Sequence, residues 1–308
     1  MTNLTNNSGG NNSTPKPKPE PEPIYKKALN KSFNVGLAGY GAMTFQVGSL
    51  MWLRTTMNYQ FKNGGGTIQT LKSLYREGGI PRFYRGVSFA LINAPLSRFG
   101  DTAANMTAMT YLEDSDLNKA QKTFIGSLGA GIWRLTIIPV DSFKSHLQVH
   151  GSEGMSILRN KIKTNGISTL YNGSSAAFSG TVIGHFPWFY TYNYLQDNMP
   201  YKSTDSSILS FLRSGSIGFL SSATSDIVSN SVRVLKISKQ TNENNHSYTR
   251  IIKDIVKKDN ITGLFFRGLQ TKLLLNGIQG FVFVVVFDRL KEFLGVNTNT
   301  NTNINSKK

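Results

Sequence analysis

Six stretches rich in apolar residues and glycine alternate with polar segments along the chain, at 34–58, 87–112, 123–148, 174–197, 206–238 and 269–294. Each reaches the roughly 20 residues that a helix needs to cross the hydrocarbon of a bilayer. Several carry charge inside: Arg98 and Asp101, Arg134, Arg213, Asp226 and Lys272. Charge at that depth is expensive, and where it survives it faces a water-filled cavity or a partner. With a mean hydropathy of −0.23, a soluble helical protein competes on hydropathy alone. The run FVFVVVF (281–287) reads by itself as a buried strand, whereas its setting in 269–294 predicts a helix. Glycines recur at helix-packing spacings, Gly36 with Gly39 and Gly41, Gly126 with Gly129 and Gly131, Gly215 with Gly218, a pattern found in membrane bundles and ordinary helices alike.

The polar segments between these stretches repeat. IIPVDSFKSHLQVHG (137–151) sets Pro139, Asp141, Lys144 and Gln148 at the end of the third apolar stretch, and GISTLYNG follows, with 34 positions from Pro139 to Gly173. In the last part SVRVLKISKQ precedes TGLFFRG, 37 positions separating Ser231 from Gly268. In the first, SLMWLRTTMN precedes GGIPRFYRG, again with 37 from Ser49 to Gly86. Between them lie TIQTLKSLYREGG, MSILRNKIKTNG and YTRIIKDIVKKDN. Three units therefore share one plan: helix, basic turn, short amphipathic segment, an aromatic shortly before a glycine, helix. One such proline, acid and base alone would be no more than a kink carrying two solvated charges.

Charge and composition narrow the chemistry. Lys and Arg number 34 against 17 acids, a formal net charge of +17 that suits nucleic acid, anionic lipid or an anionic solute unless the charges are merely solvated in loops. There is no cysteine, which excludes disulfides and thiolate metal sites, and His146, His150, His185 and His246 lack metal-ligand spacing. No basic cluster interleaved with aromatics or helix-turn-helix pattern supports a nucleic-acid partner. No ordered nucleophile, histidine and acid, and no phosphate-cradling glycine loop after a strand, supports an enzyme. The N-terminus MTNLTNNSGGNNSTPKPKPEPEP lacks the apolar core of a secretory signal and the Arg-rich pattern of a transit peptide. It and the tail NTNTNTNINSKK are expected to be disordered.

The three-fold layout resembles the mitochondrial carrier family, whose signature is Pro-x-acid-x-x-base followed by an acid, Gly, four residues, an aromatic, a base and Gly. Pro139, Asp141, Lys144 and Gln148 match its first half. Tyr84-Arg85-Gly86 and Phe266-Arg267-Gly268 match the end of the second, while Tyr171-Asn172-Gly173 lacks the base. The resemblance covers residues 30 to 295 and implies an all-α membrane protein: six transmembrane helices in three pseudo-symmetric repeats of about 100 residues, each with a short matrix helix. The expected segments are a disordered tail 1–28, repeats at 29–115, 116–203 and 204–296, and a tail 297–308.

By the same resemblance, kinked odd helices converge on a matrix gate in which each repeat's acid pairs with the next repeat's base. Here the gate positions hold Met51 and Arg54, then Pro139, Asp141 and Lys144, then Arg233 and Lys236. The implied pairs are Met51 with Lys144, Asp141 with Lys236 and Arg233 with Arg54: one empty, one attractive, one repulsive. Like charges in a poorly solvated ring destabilise it, so the gate is expected to be weak or held by a bound anion or lipid phosphate. The cytoplasmic gate keeps Asp288 and Lys291, with Tyr192-Asn193 and Gln196, and Asn105 and Ala108, at the other two positions. Substrate contact positions fall at Asn93, at Gly180 and Thr181, and at Asn276. Arg134 and Asp226 face the cavity from odd helices, and Arg98 and His185 line it from even ones. Arg98 with Asp101, and Arg134 with Asp226, are open alternatively to reading as structural bridges. Cardiolipin is expected at Gly79, Arg85, Gly86, Gly166, Gly173, Arg267 and Gly268, around helix N-termini and glycine turns.

The resemblance thus implies a multi-pass protein of the mitochondrial inner membrane, a monomer with neither cofactor nor metal, that moves a small anionic metabolite by alternating access. The altered gates motivate a second reading from another class: a carrier-fold scaffold or lipid-interacting membrane protein that has lost transport.

Overall fold

The computed structural model describes residues 40–112, 114–199 and 207–293, and every regular element among them is helical. The tails expected to be disordered, and the first part of the first repeat, lie outside the described residues. Helix α1 (residues 40–49) runs through a bend at Leu50 into α2 (Met51–Asn63). The chain continues through α3 (Thr67–Phe83), α4 (Val87–Tyr111), α5 (Lys119–His150), α6 (Gly154–Asn165), α7 (Ser174–Asn198), α8 (Ser207–Thr241), α9 (Tyr248–Phe266) and α10 (Leu269–Phe293). Long helix, short helix, long helix thus follow one another three times. FVFVVVF is helical within α10, its length and context outweighing the β-propensity of seven residues.

The three helices that open each third end differently in sequence. In α5, Asn118 and Gln121 form a reciprocal capping box, and Pro139 lies inside the helix without the N–H that would reach the carbonyl of Leu135. Helix α8 runs unbroken through Ser231. The α1–α2 helix bends at Leu50 (φ −108°, ψ 12°) while the bonds from Leu50 N to Gln46 O and from Arg54 N to Leu50 O, both 3.1 Å, carry the ladder across.

The C-terminal ends of α2, α5 and α8 meet in a core of Phe61, Val149, Val234 and Ile237 beneath Ile251 and Ile255 of α9. Each third then locks onto the next. Gly86, Gly173 and Gly268 have φ of +81°, +84° and +66°, a backbone that side chains resist. A Cβ there would lie 3.2 Å from Lys144 O, 3.0 Å from Lys236 O and 3.2 Å from Met57 O. The glycine after each short segment therefore seats the backbone on the opening helix of the following third, the last closing on the first. Cations reinforce the cycle at the C-terminal carbonyls, where the helix dipole favours positive charge. Arg82 donates to Gln148 O and Val149 O (both 2.9 Å), Lys161 to Gln240 O (3.0 Å) and Arg267 to Lys62 O (2.9 Å).

The burial pattern is inverted relative to a water-soluble bundle. Buried positions include Gln46, Asn58, Gln60, Asn93, Asp141, Gln148, Asp226, Asn230 and Gln240, while Ile92, Phe99, Ile132, Tyr190, Phe219, Ile227 and Val228 stand exposed on the long helices. Among the described residues, the helical stretch Ala120–Asn165 is the one long and apolar enough to cross a membrane on composition alone.

Candidate functional site

Where α2, α5 and α8 converge, Asp141 is 1 % exposed and holds two lysines at once. Lys144, one turn along α5, contacts its Oδ1, and Lys236 of α8 contacts its Oδ2. Asn93 of α4 donates to Oδ1 (3.3 Å) and Gln240 to Oδ2 (3.4 Å). Ser97 Oγ donates to Asn93 Oδ1 (3.3 Å), and Arg134 Nη1 donates to Ser97 Oγ (2.5 Å). One carboxylate is therefore the hub of a network reaching from α4 to α8, with three cations around it.

The second hub is Asp226 on α8, also buried. Arg233 Nη1 lies 2.9 Å from its Oδ1, the guanidinium being braced by Ser229 Oγ (3.1 Å from Nε). Asn276 of α10 donates to Oδ2, and Lys272 donates to Asn276 Oδ1 at 3.2 Å. The third junction, between α2 and α5, carries no charge pair. Asn58 donates to Gln148 Oε1, and Gln148 Nε2 approaches Met51 Sδ at 3.7 Å.

The sequence-predicted residues are thus sorted by the fold. Lys236 lies on Asp141, while Lys144 turns to the acid of its own helix because Met51 offers only a thioether. Arg233 is not set against Arg54: it reaches along α8 to Asp226, seven residues back on the same face. Arg134 bonds Ser97 rather than Asp226, and Asp101 faces His185 Nε2 at 3.6 Å rather than Arg98. Of the contact positions, Asn93 and Asn276 each hydrogen-bond a buried aspartate. Thr181 donates to Ala177 O of its own helix (3.0 Å), and Gly180 lies against Val232, a Cβ there being 3.4 Å from Val232 Cγ1. Asp288 and Lys291 lie on α10, their side chains outside the described residues. Near the other end of α7, Gln196 accepts from Arg213 Nη2 (2.8 Å) and donates to the Tyr192 hydroxyl (3.0 Å).

Around the short helices, Arg267 is buried on Asp259 (2.7 Å), whereas Arg85 is exposed. The partner of Glu77 is Arg82 at 2.9 Å. Gly79 and Gly166 adopt φ of +62° and +77° at the turns that end the amphipathic segments. Sequence reasoning passed over Asn58, Gln240 and Lys272 as site residues. The first two were legible: an amide stands four residues after the base in all three units, as Arg54–Asn58, Lys144–Gln148 and Lys236–Gln240.

Comparison with known proteins meets this geometry at the family level. The family model described as mitochondrial carrier protein matches residues 115–203 and 207–298. Mitochondrial substrate carrier family protein D of Dictyostelium discoideum is 27% identical over 158 residues, which cover 44% of this chain and 45% of that protein. The match therefore spans less than half the length of that relative. The two segments matched by the family model make up more than half of the chain and hold both aspartate hubs and two of the three seated glycines. The chain belongs to the mitochondrial carrier family.

Proposed function

We propose that the protein transports a small anionic solute across the mitochondrial inner membrane, as a bundle of six membrane-crossing helices in three repeats with the boundaries set out above. One observation carries the reading: among the described residues, buried polar and basic side chains gather between the long helices while large apolar ones stand exposed on the same helices. Arg54, Arg98, Arg134, Lys144, Arg233, Lys236 and Lys272 face or approach the space between the helices, against Asp101, Asp141 and Asp226. Soluble proteins bury apolar side chains and leave charge outside. An unbalanced set of cations under a low-dielectric wall concentrates anions.

In this reading the convergence of α2, α5 and α8 is the matrix gate in its closed state, with Pro139 shaping α5 and Asp141, Lys144 and Lys236 forming the part that must break. Asn93 and Asn276 are substrate contacts whose amides are parked on aspartates, Gly180 leaves room between them, and Arg134, Arg98 and His185 supply the charge. Asp288 and Lys291 belong to the opposite gate. Phosphates of membrane lipid, cardiolipin in particular, sit against Arg85 and the turns at Gly79 and Gly166, close to the seated Gly86, Gly173 and Gly268. The protein acts as a monomer. A thermal-unfolding screen of detergent-purified protein against mitochondrial metabolites tests the binding step, since a ligand of the folded state raises the melting temperature by mass action. The reading expects a shift confined to one class of anion and lost in Arg134→Ala. Shifts that persist unchanged in that variant would remove Arg134 from the site.

One observation favours a second reading, a carrier-fold scaffold without transport. Asp141 is the one acid among the three matrix-gate positions, so among the described residues just one of the three junctions at that end holds an interhelix ion pair. Cooperative melting that responds to cardiolipin and to no metabolite is its expected signature.

A further inference from the structure

Arg54 is the one base of the converging ring for which the described interior supplies no partner. It lies on α2 one turn after Leu50 and Met51. Met51 packs on Ala90 of α4, whereas Leu50 and Leu53 pack on Leu275 of α10. On a helical wheel position 54 falls between 50 and 51, so the side chain projects at the seam between α4 and α10. Its Nε is buried and makes no hydrogen bond. On α4, Val87, Leu91 and Ala94 form the stripe packed on α1 and α2, and Arg98 continues that stripe one turn on, so that its charge acts on Arg54. On α10, Lys272 lies within electrostatic reach of Asp226 first and then of Arg233, Arg54 and Arg98, three cations around one acid. The acid nearby, Asp226, is already taken by Arg233 and Asn276. A half-buried guanidinium without a counter-charge loses part of its hydration uncompensated, and a planar fork of N–H donors matches the oxygens of phosphate or carboxylate.

We propose that Arg54, Arg98 and Lys272 form a binding site for a doubly charged oxyanion, inorganic phosphate or a group of the same chemistry, which supplies the negative charge missing beside Arg54 where α2, α4 and α10 meet. The inference rests on the transport reading and deepens it: the anion is needed for the converging end to close, not only as cargo. In other words, this gate is held by a removable ion where an acid on α8 would have held it permanently. Arg233, standing at that acid's position, has folded back onto Asp226 and left Arg54 free to take the ligand.

Binding of radiolabelled inorganic phosphate to the detergent-purified full chain, in chloride buffer of fixed ionic strength, tests the site. Saturable binding weakened about tenfold or more by Arg54→Gln is expected, the loss of a charge-assisted hydrogen bond pair. Arg54→Glu should abolish binding and, by pairing with Lys272 or Arg98, melt higher than Arg54→Gln in phosphate-free buffer. Displacement of the label by cardiolipin would identify a lipid headgroup as the natural source of the phosphate, and indifference to cardiolipin a free anion; both leave the site standing. Binding equal in wild type and Arg54→Gln, or no saturable binding in protein that melts cooperatively, would overturn it. Failure of the site would leave uptake of solutes by reconstituted protein intact. Failure of uptake would leave phosphate binding in detergent intact, so the two ideas fail separately.

Discussion

At the scale of single residues the account turns on Asp141, a buried carboxylate shared by two lysines. Removing one member of a buried ion pair costs about 3–5 kcal/mol because the other charge is left uncompensated. Asp141→Asn strands both Lys144 and Lys236, whereas Lys236→Met leaves Asp141 still held by Lys144. The melting temperature should therefore fall further in Asp141→Asn than in Lys236→Met, and the reverse order would show that Lys144 is not a true partner. This sharing was not legible in the sequence. Register arithmetic between repeats assigns each base to another helix, and it has no means of seeing that a base facing a thioether will turn to the acid three residues before it. The same blindness hid the Arg233–Asp226 pair, which lies within one helix. What was legible is chemistry fixed by covalent spacing: Pro139, Asp141 and Lys144 in one turn, and an amide four residues beyond each base.

At the scale of elements the junctions between thirds carry the fold. Each seated glycine combines a positive φ with a backbone carbonyl of the next third close by. Gly173→Ala would place a methyl 3.0 Å from Lys236 O in a left-handed conformation, at a cost of about 1–3 kcal/mol for the backbone alone. Thermal melts should show this loss, and an unchanged melting temperature would mean that the α7 N-terminus is not seated on α8. Among the cations, Arg82→Ala removes two bonds to the carbonyls ending α5 and the pair with Glu77. It should destabilise, while Arg85→Ala should leave the melting temperature alone and blunt its rise with added cardiolipin. Equal effects of the two substitutions would contradict the division of labour between a capping and a lipid-facing arginine. The aromatic and glycine of each unit were visible in sequence because a turn with a required conformation constrains residue type. That Arg82 rather than Arg85 caps α5 was not, since both stand within one turn of the glycine and only packing separates them.

At the scale of the whole molecule, a bundle that buries Asp141, Asp226, Gln148 and Gln240 while exposing Ile132, Phe219 and Val228 is built for an apolar solvent outside and a polar space within. The repeat made this architecture readable even though mean hydropathy did not. Part of the charge that depresses hydropathy within the long helices is turned inward, and an average along the sequence cannot tell an inward side chain from an outward one. The central claim is that the cationic interior conducts an anion, and uptake of labelled anionic metabolites by liposomes reconstituted with the full chain tests it most directly. The account predicts saturable uptake of one class of anion, reduced at least about tenfold by Arg134→Ala, in line with the loss of a charged hydrogen-bonding group. Absence of saturable uptake for every anion, from protein that melts cooperatively in the same lipid, would contradict it and leave the scaffold reading in its place.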